Sequence, residues 1–569
     1  MTFIKEIAKV IAGIIDQPEN VVEDMFEVPK ESAHGDIAFP CFTLAKEMKK
    51  SPQHIAQDIA KRLQFDFGTA TTMGPYVNIT INNNKFISPI LKQITESEKL
   101  IQPVEHKQNA ARCTLIESPS PNTNKPLHLG HLRNMLLGST LTNLKKALGG
   151  NTYLVNLVND RGVHICKSML AYQKWGNNQT PEEAGKKSDH FVGDWYVRFN
   201  QEVKQNEMLE QEAQEMLIKW EEGDEEIVSL WKKMNEWATK GFEQTYNAIG
   251  FHSDKDYYES EIYKDGKDIV LQGVESGAFY KDESGAVIVD LTDKKLDKKI
   301  LLRKDGTAVY ITQDIFLAKK RFDDYKFNKL VYVVGNEQEY HFKVLFEIFR
   351  KLNYPFSQNC KHFSYGMVEL PEGKMKSREG NVMDTDQLIQ KTRELAKDAV
   401  KERFSELNDD EVNSRAELIA QGAIRFFFLK FDPVKNFVFD PKASLSFEGE
   451  TGPYVQYTHA RIASILRKSE TKPSKDGFET LNEPEEKEVA KLLSTFPDII
   501  GEATEKLKPN LVCNYLLALC QSFNSYYSKH KIIQEDKALE TDRLALISAV
   551  NKVIKEGLLL LGIQAPERM

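Results

Sequence analysis

The chain has 569 residues, of which 41% are hydrophobic and 28% charged, and it carries a formal net charge of −8. That length allows three or four domains with ample cores, and no apolar run approaches membrane-spanning length. The acidic balance neither supports nor excludes RNA, because net charge describes the whole surface and nucleic-acid binding needs only a local basic face.

In chain order, Met1-Thr-Phe-Ile-Lys-Glu-Ile-Ala-Lys9 has charges inside its apolar spacing and reads as an amphipathic helix, not a signal peptide. Phe3, Ile4, Ile7, Val10, Ile11 and Ile14 give it one apolar face. Ser32-Ala-His-Gly-Asp36 is a turn, in which His34 and Asp36 serve the turn itself more readily than a ligand. Ile37–Phe42 is a strand or a helix lead-in, Ile55, Ile59 and Leu63 mark a second helix, and Pro75–Ile81 alternates as a strand. Residues 1–108 therefore form a small α+β domain, and the polar run Gln102–Ala110 is its linker.

Arg112-Cys-Thr-Leu-Ile116 is a short apolar, β-branched run of the kind buried in a parallel sheet. Beyond it, Leu132, Met135, Leu136, Thr140, Leu144 and Leu148 recur at helical spacing until Gly149-Gly150 stops the helix. The intervening Glu117-Ser-Pro-Ser-Pro-Asn-Thr-Asn-Lys-Pro-Leu-His-Leu-Gly-His131 is thus a strand-to-helix crossover carrying Lys125, His128 and His131. The carboxyl ends of parallel strands form a ligand crevice, and a helix start presents free N–H groups to phosphate. Two imidazoles and an ammonium there suit a phosphate that gains charge, and Gly130 lets a flat base lie against the backbone. The alternative is that the histidines merely cap the helix.

Thr152–Val158 reads as the next strand, with Asn159-Asp-Arg-Gly162 at its carboxyl end. From about 177 to 299 a polar loop, long charged helices carrying Trp195, Trp220, Trp231 and Trp237, and hairpin strands at Ala278–Tyr280 and Ala286–Val289 suggest an insertion between two halves of the sheet. The Glu-rich run Glu202–Glu226 is a solvated helix face. The sheet is expected to resume with Thr307–Asp314 as a strand, then Leu330–Val334 followed by Gly335-Asn-Glu-Gln338, a helix over Phe342–Leu352, and a strand over His362–Val368. Gly373-Lys-Met-Lys-Ser-Arg-Glu-Gly-Asn381 then places cations between two glycines, which suits a clamp on pyrophosphate. Past Asp386 the chain reads as nearly all helix. The six cysteines, Cys41, Cys113, Cys166, Cys360, Cys513 and Cys520, are scattered with no C-x-x-C, which argues against zinc and against a disulfide framework. A cytoplasmic monomer is expected.

The H-x-G-H crossover with a later K-M-x-x-S-like loop resembles the class I aminoacyl-tRNA synthetases, and Glu117–Asn134 resembles the arginyl family in particular. The likeness covers the whole chain, including Glu448–Arg461 and the ending Leu561–Met569. It implies an N-terminal tRNA-contacting domain at 1–108, a split Rossmann-like catalytic domain at 111–385 and a helical anticodon-binding domain at 386–569. By the same resemblance, ATP with Mg²⁺, L-arginine and tRNA(Arg) are the substrates. Lys125, His128 and His131 would face ATP, with Gly130, Met375, Ser377 and Arg378, and Lys374 and Lys376 would join the catalytic cations. Glu117, Ser120, Asn122, Tyr310, Asp314 and Gln338 would hold arginine, and Glu259 would be a further carboxylate for its guanidinium.

A buried guanidinium needs carboxylates with planar two-point geometry, which rejects an unforked lysine. Asp314 fits a helix N-cap as well, and Tyr310 by itself fits a core. The loop departs from the family-wide form, with Lys376 and Ser377 at the usual serine and lysine positions. Which of Lys125, Lys374, Lys376 and Arg378 touches pyrophosphate therefore stays open. Tyr526, Tyr527 and Lys531, with Lys529 and His530, interleave aromatics and cations as an RNA-stacking surface does. A helix core with solvated charges explains the same letters. Met569 is a further expected tRNA contact. The rival readings are another H-x-G-H enzyme, such as a cysteinyl-type synthetase or small nucleotidyltransferase, and a non-catalytic tRNA-binding protein.

Overall fold

The computed structural model describes all residues except 1, 28, 30–33, 104–112, 264–265 and 372–382. Its contacts divide the chain into two units. One comprises Met1–Glu98, Ile465–Thr495 and Gln521–Lys552; the other comprises Lys99–Ser464, Phe496–Cys520 and Val553–Met569. Among the described residues, no helix is long and apolar enough to cross a membrane.

In the first unit, Ile37–Pro40, Tyr76–Ile81 and Gly68–Met73 form an antiparallel sheet with Tyr76–Ile81 in the middle. Ile55, Ile59, Ile79 and Ile81 are fully buried, as alternation and helical spacing require. Asp36 accepts the Ile81 amide at 2.8 Å and pairs with Lys487 at 2.6 Å and Lys491 at 2.8 Å. Its role is therefore structural. In the same unit the Tyr526 hydroxyl donates to Glu486 at 3.2 Å, and Arg543 Nε donates to that carboxylate at 2.9 Å.

The second unit is built on a five-stranded parallel sheet. Its strands are β1 (Cys113–Glu117), β2 (Asn151–Val158), β3 (Lys255–Tyr258), β4 (Lys329–Gly335) and β5 (Cys360–Tyr365), in the spatial order β5-β4-β1-β2-β3. The first strand in sequence thus stands in the centre. The chain winds outward through β2 and β3, then returns to the other edge of β1 through β4. The switch point lies between β1 and β4, where an open sheet offers its crevice. The two strands also join at their amino ends, where the Cys113 amide donates to Asn328 Oδ1, 215 residues away.

Helix α1 (Leu129–Ala147) follows β1 and α2 (Val163–Trp175) follows β2. Helices α3 (Ser188–Glu202), α4 (Met208–Glu222) and α5 (Glu225–Ile249) come next and pack Phe191, Phe199, Met216 and Trp220 into their own cluster. The expected insertion at 177–299 is interrupted here. β3 pairs in parallel with β2, Val155 opposite Lys255, so the chain re-enters the main sheet inside that span. Four residues with mixed burial were too short to stand out as a strand. The antiparallel strands Tyr280–Lys281, Val287–Val289 and Lys299–Leu302 follow as a separate sheet.

Thr307–Asp314 is not a strand. Helix α6 runs from Tyr310 to Tyr325, with Ile311, Ile315 and Ala318 on its buried face. Its β-branched opening suggested period two, but the burial follows 3.6-residue spacing. Helix α7 (Glu339–Lys351) leads into β5. The expected strand His362–Val368 is split: β5 ends at Tyr365, and Val368–Glu369 pairs with Phe437–Val438 instead. Helices α8 (Thr385–Arg403) and α9 (Asp409–Leu429) begin the helical remainder.

Candidate active site

The start of α1 is held by its own histidines. His128 Nδ1 accepts from the amides of Gly130 at 3.1 Å and His131 at 3.3 Å, while His131 Nδ1 accepts from the His128 amide at 3.2 Å. The rings stack with centroids 3.8 Å apart. Capping and catalysis are therefore not alternatives. With both Nδ1 lone pairs taken by N–H donors, each neutral ring must carry its proton on Nε2, which leaves two Nε2–H donors for a ligand. Burial and then the Lys125 charge pull His128 down to about 4. Burial, His128 and Lys125 hold His131 well below its usual range. Both are neutral donors at physiological pH. A Cβ on Gly130 would meet the His128 ring at 2.9 Å, so the ring already occupies the space glycine frees, which sequence alone assigned to a base.

Both flanks of segment 372–382 are tied to this crossover, although Lys374, Met375, Lys376, Ser377 and Arg378 lie outside the described residues. Buried Arg133 on α1 donates to the carbonyls of Gly366, Pro433 (2.9 Å) and Lys435 (2.9 Å). On the other side the Thr385 amide donates to Leu127 O at 2.9 Å. Helix α3 abuts Lys125–Pro126 through Gly193, where a Cβ would meet Pro126 Cδ at 2.6 Å.

The acidic part of the site gathers at the carboxyl ends of β1 and β3 and on α6. Glu117 closes β1. It pairs with the fully buried Arg321, and its Oε1 accepts from the Ser120 hydroxyl at 3.1 Å. Ser120 is held at φ +57 while its amide donates to Asn156 Oδ1 at 3.1 Å. Asn122 bridges in parallel to Asn159. On α6, Tyr310, Asp314 and Arg321 are spaced four and seven apart and so share one face. The helix N-cap is Val309, so Asp314 lies inside the helix and the capping alternative falls.

Asp314 Oδ2 meets His341 Nε2 at 2.8 Å. Burial raises the Asp314 carboxyl, with His341 opposing and Glu117 adding to the rise. Tyr310 is 61% exposed as a whole residue, yet its hydroxyl end is sunk among the acids, and burial followed by the charges of Asp314, Glu259 and Glu117 raises its pKa.

Glu259 is only 5% exposed. It follows β3 in a turn held by Asp160, whose Oδ1 and Oδ2 accept from the Ser260 amide (2.9 Å) and hydroxyl (2.6 Å). Among the described residues its Oε2 is buried with no hydrogen-bond partner, while the Gln313 side chain bonds to the carboxyl. Burial lifts its pKa to about 7; Arg161 opposes this, and Asp160 and Asp314 add to it. Gln338 is exposed, in a 3₁₀ turn after β4.

Sequence reading missed Arg321, His341 and His164. Arg321 sits in a helical stripe that became visible only once α6 was known to be a helix. His341 stands three residues after Gln338, a spacing that could have prompted a search. His164 opens α2 with Nε2 buried and unpartnered, and burial followed by the charges of Lys125 and Lys167 lowers it to about 4.

Tyr526 must be withdrawn as an RNA-stacking residue. It is fully buried and bonded to Glu486. Lys529 and His530 both pair with Glu485, at 2.7 and 3.2 Å. Tyr527 and Lys531 are exposed, and Met569 packs half-buried beside the cluster of Ala396, Val412 and Ile419.

A parallel sheet with a histidine-capped crossover fits what residues 91–441 match, the family described as "tRNA synthetases class I (R), catalytic domain". The fold and the site define a class I aminoacyl-tRNA synthetase. Residues 1–81 match the arginyl tRNA synthetase N terminal domain, and 455–569 the DALR anticodon binding domain. The chain is 43% identical to the arginine–tRNA ligase of Treponema denticola, covering 100% of this chain and 99% of that one. It is 42% identical to the Bacteroides thetaiotaomicron arginine–tRNA ligase, covering 99% of each. Its structure superposes on the Thermus thermophilus arginyl-tRNA synthetase with a TM-score of 0.81 at 26% identity, covering 99% of this chain and 100% of that one. The chain belongs to the arginyl-tRNA synthetase family.

Proposed function

We propose that this chain ligates L-arginine to tRNA(Arg) using ATP, through an arginyl-adenylate, with the residues above in the following roles. The observation that carries the reading is the buried Glu259 carboxyl, whose Oε2 has no hydrogen-bond partner among the described residues and which feels the charge of Asp314. Burying a carboxylate near a second acid is costly, with only the Arg161 charge opposing, and an arginine guanidinium would offset that cost at both carboxylates. Tyr310 covers the bound side chain. Ser120, Asn122 and Gln338 bind its polar end. Glu117, already paired with Arg321, holds the Ser120 hydroxyl in place.

The arginine carboxylate attacks the α-phosphorus of ATP in line, and pyrophosphate leaves. The nucleophile is already anionic, so no general base is needed, and rate depends on position and on donors where charge develops. The Nε2–H groups of His128 and His131 donate to phosphate oxygens, and Lys125 supplies the fixed positive charge. Lys374, Met375, Lys376, Ser377 and Arg378 complete the pyrophosphate side. Mg²⁺ enters with ATP, coordinated mainly by phosphate oxygens and water. The 2′-hydroxyl of the terminal tRNA ribose then attacks the adenylate carbonyl, loses its proton to solvent and releases AMP.

In this reading residues 1–108 and 386–569 contact tRNA, the latter through Tyr527, Lys531 and Met569, and residues 111–385 catalyse. By the same reading the enzyme is a cytoplasmic monomer and, with cysteines spaced without a C-x-x-C pair, is expected to hold no zinc. The test is ATP–pyrophosphate exchange with tRNA present, run over all amino acids. Exchange with arginine alone is expected, and Glu259→Gln should raise the arginine KM roughly 10- to 100-fold, the scale of a charged hydrogen bond. Exchange with a different amino acid, or an unaltered arginine KM in the variant, refutes the assignment.

A further inference from the structure

The described residues line a half-open cavity of about 420 Å³ at the amino-terminal end of the sheet, opposite the crossover. Its lining includes Lys146 near the end of α1, His252 and Asp254 in the turn before β3, Glu417 and Arg425 on α9, and Gln564. Three of its charges are already matched: Lys146 pairs with Asp254 at 3.6 Å and Glu417 with Arg393 at 2.5 Å. Arg425 is different.

Arg425 is 4% exposed, and among the described residues no carboxylate pairs with it. One of its terminal nitrogens donates to the carbonyls of Ile249 and Gly250 (3.4 Å) at the end of α5, but its Nε is buried without a partner. Of the two left-handed glycines beside it, Gly562 makes the room it occupies, and Gly250 is in ordinary contact. Gly562, at φ +73, would bring a Cβ to 2.5 Å from one Arg425 nitrogen, and Gly250, at φ +62, to 3.4 Å from the other. Burial alone lowers its pKa to about 10. Capping a helix end recovers only part of what burying an unmatched guanidinium costs. A guanidinium with Nε and one terminal nitrogen carrying no hydrogen bond among the described residues, in the wall of a cavity sized for a small molecule, suits a carboxylate or phosphate.

We propose that this cavity is a binding site for a small oxyanion-bearing molecule, a carboxylate or a phosphate, held by Arg425. The site does not overlap the ATP site. Lys146 and His131 lie on the same helix about 22 Å apart along its axis, so both sites can be filled together.

The test is calorimetric titration of the full-length enzyme with inorganic phosphate and, separately, with acetate. The catalytic site is first saturated with a non-reactive arginyl-adenylate analogue. One binding event is expected, and the tighter of the two anions identifies the class. Arg425→Gln should weaken binding at least tenfold. Because Arg425 also caps α5, the second variant is Gln564→Glu, an exposed position that adds a carboxylate to the cavity and leaves Arg425 in place. It too should weaken binding at least tenfold, with arginylation unchanged. No binding of either anion, or binding that Gln564→Glu leaves intact, overturns the proposal and makes Arg425 a helix cap only.

Discussion

The arginine KM should depend on pH through Glu259, and the dependence can be worked out from its surroundings. Burial and neighbouring negative charge lift this carboxyl to about 7. A raised acid is protonated below that value, and the neutral form gives a guanidinium no charge to pair with. Arginine must therefore bind the fraction of enzyme in which Glu259 is ionised, about one eleventh at pH 6 and about ten elevenths at pH 8. The arginine KM should fall about tenfold across that range, or about 1.4 kcal/mol of apparent affinity. The ATP KM should stay flat, because His128 titrates near 4 and remains neutral throughout. The assay is steady-state exchange at saturating tRNA, at half-unit steps from pH 6 to 8, on wild type and Glu259→Gln. A flat arginine profile in the wild type, or an equally steep one in the variant, would refute the assignment of Glu259 to the guanidinium.

Four further outcomes are expected. His128→Ala should lower kcat by about 10²–10³ through loss of a transition-state donor and cost about 1 kcal/mol of stability through loss of the cap. His128→Asn should recover the stability and not the rate, as kinetics and thermal melts on the same preparations will show. Arg321→Met strands the buried Glu117 charge and should cost about 3–5 kcal/mol in denaturant unfolding, and adding Glu117→Gln should return part of it. Asp314→Ala should raise the arginine KM well above any change in the ATP KM, and equal changes would indicate a structural role beside His341. In tRNA-binding titrations, Tyr527→Ala should weaken affinity and Tyr526→Phe should leave it unchanged, since the Tyr526 ring is enclosed.

The crossover was legible because its chemistry is local. Strand, loop, histidines and helix follow one another in thirty-odd residues, and the reciprocal cap is a contact between residues three apart. Glu117 was legible as the end of the strand before the crossover, but not as the partner of Arg321, since 204 residues separate the two and only packing joins them. The misreading of Thr307–Asp314 has a definite cause. Thr307, Val309, Ile311 and Thr312 favour extended backbone by local propensity, yet α6 is stabilised by burying Ile311, Ile315 and Ala318, and tertiary packing overrides propensity. β3 escaped notice because its pairing to β2 across about a hundred residues defines it, not its own letters. Tyr526 and Tyr527 show the limit from the other side. Adjacent aromatics on one helix point about 100° apart, so one can be enclosed and the next exposed, and composition alone does not tell which one is inward.

The sheet order also bears on how the chain is made. β1 emerges early from the ribosome and gains β2 on one side soon afterwards, but its opposite edge waits for β4, which pairs Lys329 with Thr114. At about 5–20 residues per second that interval is roughly 10–40 s. Throughout it the strand that carries Leu115 and Ile116 shows bare amides and carbonyls on one side, a surface open to other nascent chains. Chaperone demand during synthesis should therefore peak between completion of α1 and arrival of residue 335, and truncations ending in that window should aggregate more than those ending after it.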